Sequence, residues 1–395
     1  MEPYAIERLN SLDQLRNLKE PWEGLTARIP QCSFFLSWEW MSTWWHNFHD
    51  GNDLWLLTGK GQNGELAGIA PLMCRPLKLG PMIMRRICFI GSGVAGPIHL
   101  DIIAAEEVRE ELSAAFLAYL NAHDKEWDIL DLKAIRDDSP LRAQLYEEVG
   151  RCLESDPEPC SIVSLPTSWE TFQSERMNRK LRKTIRYYAN KLEKDFPGEV
   201  VFQQIGTEAE LDRSIEFLVI NSRRLFSGEE VASCFENEAY CQFYKVMAHT
   251  ALQQGTLRFY QLVVEGRIIA AQHCFKYKGI YYGYQTAYDP DWQQYSPGQQ
   301  LLAHLFQEAI GEKAREVNMS HGENEYKGRW ATGVRIDRQL LYVRNKLGRL
   351  WLRGVQSFDK LLGISRVVLP LKVRLQLGAL IFAIIKFIEE FSDWL

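Results

Sequence analysis

The apolar positions fall into two matching series. Leu54 to Thr58, a turn at Gln62-Asn63-Gly64 and Leu66 to Leu72 read as one β-hairpin; Leu257 to Val264, a turn at Glu265-Gly266 and Ile268 to His273 read as a second. Each hairpin is followed by a helix and then a strand. The first helix spans about 107–123, with Val108, Leu112, Ala115, Phe116 and Tyr119 at helical spacing, and leads to a strand over Trp127 to Leu132. The second spans about 298–313, with Leu301, Leu302, Leu305, Phe306 and Ala309, and leads to a strand near Val317 to Ser320. The repeated order predicts an α/β chain with mixed (α+β) sheets, built as two related units over 1–160 and 161–343, with 344–395 as a tail of different character.

An acidic, proline-bearing connector, Glu154 to Pro159, joins the units. After it the pattern predicts one long basic helix from about Ser168 to Glu193, with Ser168 or Thr171 as N-cap. Leu181, Ile185, Tyr188 and Leu192 form its apolar stripe, and Arg179, Arg182, Lys183 and Arg186 a separate basic face. In the first unit, Phe34, Trp38, Met41, Trp45 and Phe48 repeat at helical spacing, the mark of a core-facing stripe. Trp40 and Trp44 flank it and, if exposed, would stack on a sugar ring or acyl chain. His46 and His49 lie beside them without a third ligand, so no metal site is expected.

The tail carries nine Lys/Arg against four Asp/Glu, and its apolar stretch, Leu375 to Ile388, is interrupted by Gln376 and Lys386. A membrane span needs roughly 20 apolar residues. The tail therefore reads as a basic amphipathic helix suited to an anionic membrane surface, or to packing on the body of this protein or on a second copy. The whole chain, at 395 residues, has a net charge of -5 and a pI near 6.0, which argues against DNA as a partner. Eight cysteines include no C-x-x-C pair, and the first residues lack the pattern of a signal peptide. These features predict a reduced, cytoplasmic protein, with the tail as a means of peripheral attachment to the inner face of the plasma membrane.

Candidate chemistry concentrates in the second unit. Tyr281 to Pro290 reads as a strand ending in a turn, and Tyr295 to Leu302 as a loop running into a helix. Ser296 suits an N-cap and Pro297 the first helical position, while Gly298 leaves the backbone open to a ligand. Free amides and the positive end of the helix dipole would face an anion there. The strand near Val317 ends at Gly322, and His321, Glu323, Glu325, Tyr326 and Lys327 crowd its open end, where ligands of open α/β sheets bind. Gly91 to Pro97 is also glycine-rich, but reads as a loop into Ile98 to Ile102.

The block from Met177 to Trp330 resembles the GNAT-superfamily acyltransferase domain of the CelD/BcsL-like group. The resemblance rests on Arg179-Lys180-Leu181-Arg182-Lys183, Ala270-Ala271, Tyr288-Asp289-Pro290, Ser296-Pro297-Gly298, and Gly322-Glu323 followed by Tyr326-Lys327 and Trp330. Phe34 to Trp38 and Trp44-Trp45 resemble the same family's N-terminal part. Asn318 and His321 depart from it, standing where the family often has Asp and Arg, and of the general phosphate loop Gln294 and Gly298 remain.

The resemblance implies two tandem GNAT-like units, related to the Fem-type aminoacyltransferases. It implies an acetyltransferase that moves an acyl group from acyl-CoA, a co-substrate rather than a resident cofactor, to an amine or hydroxyl of an envelope polysaccharide, lipid or precursor. Tyr284, Gln285, Thr286, Ser296, Gly298 and Gln299 would then hold the donor in the second unit. An alkyl amine has a pKa near ~10, so a base must free its lone pair; Glu325 or His321 would serve, with Tyr326 protonating the leaving thiolate. Trp40, Trp44 and Lys327 would bind the acceptor. Two other readings stand beside this one: Fem-type transfer from aminoacyl-tRNA, and a non-catalytic module that binds a membrane or a polysaccharide-synthase complex.

Overall fold

The computed structural model describes residues 3–79, 82–149, 152–155, 157–228, 232–322 and 325–344. Arg344 is thus the one tail residue described; the expected surface helix, like Glu323, lies outside the described residues. Among them, no helix is long and apolar enough to cross a membrane.

The first half contains β1 (Ala5–Leu9), α1 (Leu12–Asn17), α2 (Lys19–Ala27), α3 (Trp38–Phe48), β2 (Asp53–Leu54), β3 (Leu56–Lys60), β4 (Leu66–Ala70), β5 (Leu72–Leu79), β6 (Met82–Phe89), β7 (Ile103–Ala104), α4 (Glu106–Ala122), β8 (Ile129–Arg136), α5 (Pro140–Val149), β9 (Leu153–Glu154) and β10 (Glu158–Ser164). The second contains α6 (Trp169–Thr171), α7 (Arg179–Asp195), β11 (Val200–Gln204), α8 (Glu208–Leu225), α9 (Glu238–Gln253), β12 (Leu257–Val264), β13 (Arg267–Tyr277), β14 (Ile280–Tyr288), α10 (Pro297–Gly311), β15 (Glu316–His321), α11 (Glu325–Gly328) and β16 (Gly333–Val343). The predicted hairpins, helices and following strands are β3–β4 with α4 and β8, and β12–β13 with α10 and β15. The mixed α/β fold with its repeated order is as expected.

One large sheet runs through both halves in the order β11-β12-β13-β14-β15-β10-β16-β8-β6-β5-β2, with β9 beside β16. A smaller sheet, β1-β3-β4-β7, completes the first half. The halves exchange their last strands. β10 pairs antiparallel with β15 of the second half, and β16 pairs antiparallel with β8 of the first. The expected boundary between 160 and 161 falls inside β10.

The basic helix predicted over 168–193 is two pieces. Ser168 caps the single turn α6, the chain widens through Phe172–Arg176, and Met177 is extended (φ -90, ψ 124). Asn178 then caps α7, its side chain accepting from the Leu181 N–H at 2.8 Å. The bend puts both Phe172 and Met177 in the core, which one straight helix would not do.

The aromatic stripe of α3 joins the halves. Trp40 is fully buried and meets Phe34 and Phe35 of its own half, and Phe243, Phe275 and Tyr284 of the other, edge to face. α8 and α9 lie with it on one face of β12–β14; α10 packs on the opposite face with α7. Lys278, in the turn after β13, donates to the Thr26, Ala27 and Ile29 carbonyls at the end of α2, the end that a helix dipole makes attractive to a cation.

Candidate functional site

Each half places two strands side by side in parallel and then lets them part. In the second half β14 and β15 pair at Ile280–Glu316, Tyr281–Val317 and Tyr282–Asn318, and no further. A bulge in β14, with Tyr284 as the extra residue opposite His273 and Cys274 of β13, falls just there. Gly283 marks the parting: a Cβ on it would come within 3.3 Å of the Asn318 carbonyl oxygen, and Ser320 Oγ donates to its carbonyl. Beyond Gly283, β14 keeps β13 on one side.

In the first half β6 and β8 pair at Arg86–Ile129 and Ile87–Leu130 before parting. There the chain fills its own gap. The segment after the glycine-rich loop lies along β8: the Leu100 N–H donates to the Ala134 carbonyl at 2.8 Å, and the Arg136 N–H to the Leu100 carbonyl at 3.4 Å. The two halves therefore differ at the position where a ligand would enter the sheet.

α10 begins beside the open parting. Pro297 opens it as expected and has no N–H to offer. Ser296 occupies the N-cap position but makes no side-chain cap, a correction to the sequence reading. The preceding turn, Pro290–Tyr295, delivers it in a left-handed conformation (φ 50, ψ 51), away from the extended geometry that aims a cap side chain at the third residue. Its carbonyl accepts from the Gln299 and Gln300 N–H groups at 3.1 and 3.3 Å. Of the first-turn amides, Gly298 is thus the one left without an internal acceptor among the described residues. Its neighbourhood is roomy: a Cβ there would meet nothing nearer than Tyr288 Cδ1, at 3.7 Å.

Of the remaining residues expected to hold the donor, Thr286 is exposed at the end of β14. Tyr284 turns inward, where its hydroxyl donates to the Ala95 carbonyl of the first half and accepts from Tyr240. The Gln285 amide donates to Tyr240 Oη at 2.8 Å, and Gln299 Oε1 accepts from the Trp330 indole at 2.9 Å. These side chains are engaged in structure.

The open end of β15 meets a buried polar cluster drawn from both halves. Asp337 on β16, wholly buried, places Oδ1 2.7 Å from His99 Nδ1. Its Oδ2 lies 2.7 Å from the His99 backbone nitrogen and 2.8 Å from His321 Nε2. Asn318 Nδ2 is 2.8 Å from His99 Nε2, and Asn318 Oδ1 accepts from the Ser320 N–H at 2.9 Å. His321 keeps 27% of its side chain exposed, the one ring of the pair that reaches solvent. Its Nδ1 lies 3.7 Å from the Glu158 carboxylate. Lys327 Nζ donates to the His321 carbonyl at 2.5 Å and the Ser320 carbonyl at 3.3 Å, so its charge clamps the strand end.

Burial pushes the Asp337 carboxyl up, but hydrogen bonds from His321 and His99 outweigh it and hold the carboxyl at about 2. Burial lowers His99 against the opposing pull of Asp337, which keeps its imidazole neutral near pH 7. His99, Cys160 and Asp337 bring donor atoms within 4.8 Å of one another, the spacing of a metal site. Their contacts are already spent on one another, however, and burial, reinforced by Asp337, holds the Cys160 thiol far above its usual range.

The other expected residues are placed elsewhere. Glu325 stands on the solvent face of α11, 2.6 Å from Arg329, whose hydrogen bond draws its carboxyl below the usual range. A carboxylate held ionised in water is a weak base. Tyr326 is half-buried, its phenol held high by burial. Trp40 and Trp44 are buried, 0% and 2% exposed, so neither presents a face to a sugar. His46 and His49 line a cavity of about 610 Å³ in the first half, with Trp45, Trp55 and Arg8. Sequence reading missed His99 and Asp337. The signal for His99 was its place directly after the glycine-rich loop; Asp337, one acid within an amphipathic strand, gave none.

The parted parallel strands, the helix beginning beside them and the repeated order make up a mixed α/β, GNAT-like fold. Residues 179–328 match the family model described as an acetyltransferase (GNAT) domain. Over 90% of this chain and 99% of the other, the fold is similar to that of FemX, at TM-score 0.59 and 9% identity. It is also similar to a protein of unknown function from Bacteroides thetaiotaomicron VPI-5482, at TM-score 0.53 and 12% identity over 87% of this chain and all of that one. At such identities the likeness is one of fold. No curated protein matches the sequence.

Proposed function

We propose that the protein is an acyltransferase that takes its acyl group from acyl-CoA in the second half and passes it to an amine or hydroxyl of an envelope glycan, lipid or precursor. One observation carries this reading. Among the described residues, the parting between β14 and β15 has no chain segment laid into it, whereas the matching one between β6 and β8 is closed by Leu100, and the open one ends at His321.

The donor's pantetheine would lie along the free edge of β14 beyond Gly283, with its diphosphate at the Gly298 N–H. His321 Nδ1 takes a proton from the acceptor nitrogen or oxygen. The freed lone pair attacks the thioester carbonyl, the new C–N or C–O bond forms, and the C–S bond breaks. The thiolate leaves with the proton that His321 holds, or with one from Tyr326, whose phenolate then takes up the proton from His321 through water. Asp337 steadies the imidazolium between these steps. Glu325, solvated and ion-paired, is replaced in this scheme by His321.

A specific observation favours a second donor. Arg179, Lys180, Arg182, Lys183 and Arg186 of α7 have no acidic partner at ion-pair distance among the described residues. Such a face suits the phosphates of aminoacyl-tRNA. Calorimetric titration with acetyl-CoA and, separately, with aminoacyl-tRNA decides between them. Micromolar binding of acetyl-CoA, with thiol release that fails in His321→Gln, is expected. Binding of tRNA alone would replace the donor, and binding of neither would remove the catalytic reading.

A further inference from the structure

We propose that the first half is a working part of the second half's active site: His99, carried on the segment that closes the first half's own cleft, is the positioning residue that fixes Asp337 and, through it, the basic nitrogen of His321. This rests on the acyltransferase reading and extends it to a residue outside the matched domain.

The argument follows hydrogen-bond polarity along the cluster. The Ser320 N–H can only donate, so the Asn318 atom 2.9 Å from it is the carbonyl oxygen. The other end of that amide, 2.8 Å from His99 Nε2, is then the NH₂ group, and Nε2 must accept. A neutral imidazole with Nε2 accepting carries its proton on Nδ1, which faces Asp337 Oδ1 at 2.7 Å. The His99 backbone N–H donates to Oδ2. Two donors from one residue therefore grip both carboxylate oxygens. The carboxylate, which can only accept, receives its last strong bond from His321 Nε2–H at 2.8 Å. The proton of His321 is thus assigned to Nε2, and its lone pair to Nδ1 on the half-open side. One backbone amide sets, in order, an amide, a ring, a carboxylate and a base.

Two further observations set this cluster apart from routine core polarity. Ser320, at one end of the cluster, and His99, at its centre, both adopt left-handed backbone conformations (φ 61 and 56) that non-glycine residues seldom hold. The segment that carries His99 also lies where the first half would otherwise accept a ligand, bonded to β8 through Leu100. The first half has no open cleft at that place, and the residue next to the plug reaches across to β16. The charged groups around the dyad are Glu158 beside His321 Nδ1, Lys327 on the strand end, and Arg136 and Arg335 opposite β16 and β10.

The test needs no acceptor. In ¹⁵N-labelled wild-type protein at pH 7.5, imidazole spectra are expected to show His99 as the neutral Nδ1–H form and neutral His321 as the Nε2–H form. His99 found as Nε2–H, or neutral His321 as Nδ1–H, would overturn the assignment whatever the variants do. For function, the probe is thiol release from acetyl-CoA with water as acceptor. His99→Gly, which suits the positive φ, is expected to lower kcat about tenfold or more, with KM for acetyl-CoA within about twofold. His99→Asn also tolerates that backbone and keeps a donor near the Nδ1 position, so it should return kcat to within about threefold of wild type. Equal kcat in wild type and His99→Gly, while His321→Gln is inactive, would sink this inference and leave the acyltransferase reading standing. Unimpaired His321→Gln would sink both. One equivalent of tightly held zinc, lost in Cys160→Ser, would replace the relay with a metal centre.

Discussion

Gly298→Ala separates a binding role from a structural one. The position lies in the first turn of α10, its backbone is outside the left-handed region, and a Cβ would touch only Tyr288 Cδ1, at an ordinary 3.7 Å. The fold should therefore gain, by about 0.4–1 kcal/mol, from the smaller entropy of the unfolded chain. A diphosphate is affected differently. With Pro297 lacking a donor and the Gln299 and Gln300 amides turned to Ser296, an anion at this helix end depends on the Gly298 N–H. A charged hydrogen bond is worth about 1.5–3 kcal/mol, so a methyl that forces the phosphate back should weaken CoA binding roughly tenfold to a hundredfold. Thermal unfolding and isothermal titration with CoA on the same preparation give both quantities. A higher midpoint with weaker binding is expected; unchanged affinity would place the diphosphate elsewhere and refute the reasoning.

Other outcomes follow from the same structure. Trp40→Ala should destabilise the protein by about 3–5 kcal/mol in urea unfolding, because it empties the junction between the halves; loss of glycan binding without loss of stability would restore its role as a binding platform. Glu325→Ala should leave thiol release from acetyl-CoA within about twofold of wild type, and a loss of a hundredfold would return it to the mechanism. Burial lowers the His273 imidazole to about 3, against 6.5 when exposed. The unfolded chain therefore takes up a proton that the folded one refuses, and stability is lost as pH falls below about 6.5, by about 2 kcal/mol at pH 5. His273→Gln should remove that slope, and parallel pH profiles of the two proteins would contradict it. Reversing Arg182 and Lys183 to Glu should leave acetyl-CoA binding within about threefold at 0.15 M salt if the donor is a thioester; loss of tRNA binding instead would favour the second donor.

Much of the architecture was legible because it is written in local periodicity. Alternation marked β3–β4 and β12–β13, and the 3.6-residue spacing marked α4 and α10, within a few residues. The break at Met177 was not, since a helix stripe from Leu181 onward continues smoothly backward in sequence, and it is the burial of Phe172 and Met177 that bends the chain. Trp40 and Trp44 carried no sign of whether they met solvent or another helix, because that depends on where α9 and β14 dock. The polar cluster was hardest to foresee. His99 and Asp337 are far apart in sequence, and they meet only because β16 crosses to lie against β8. His321 was visible as a candidate base, while the groups that orient it came from distant strands.

That crossing also bears on how the chain emerges from the ribosome. β8 is complete at Arg136, but the strand that must lie beside it begins at Gly333. At about 5–20 residues per second, the nascent first half waits roughly 10–40 s with a raw hydrogen-bonding edge. It resembles a domain swap within one molecule, and its early intermediate is a natural client for a holdase chaperone. Cutting the gene between the two halves would leave each fragment with a permanent adhesive border, so co-expression of both pieces, rather than either alone, is the arrangement in which they would stay soluble.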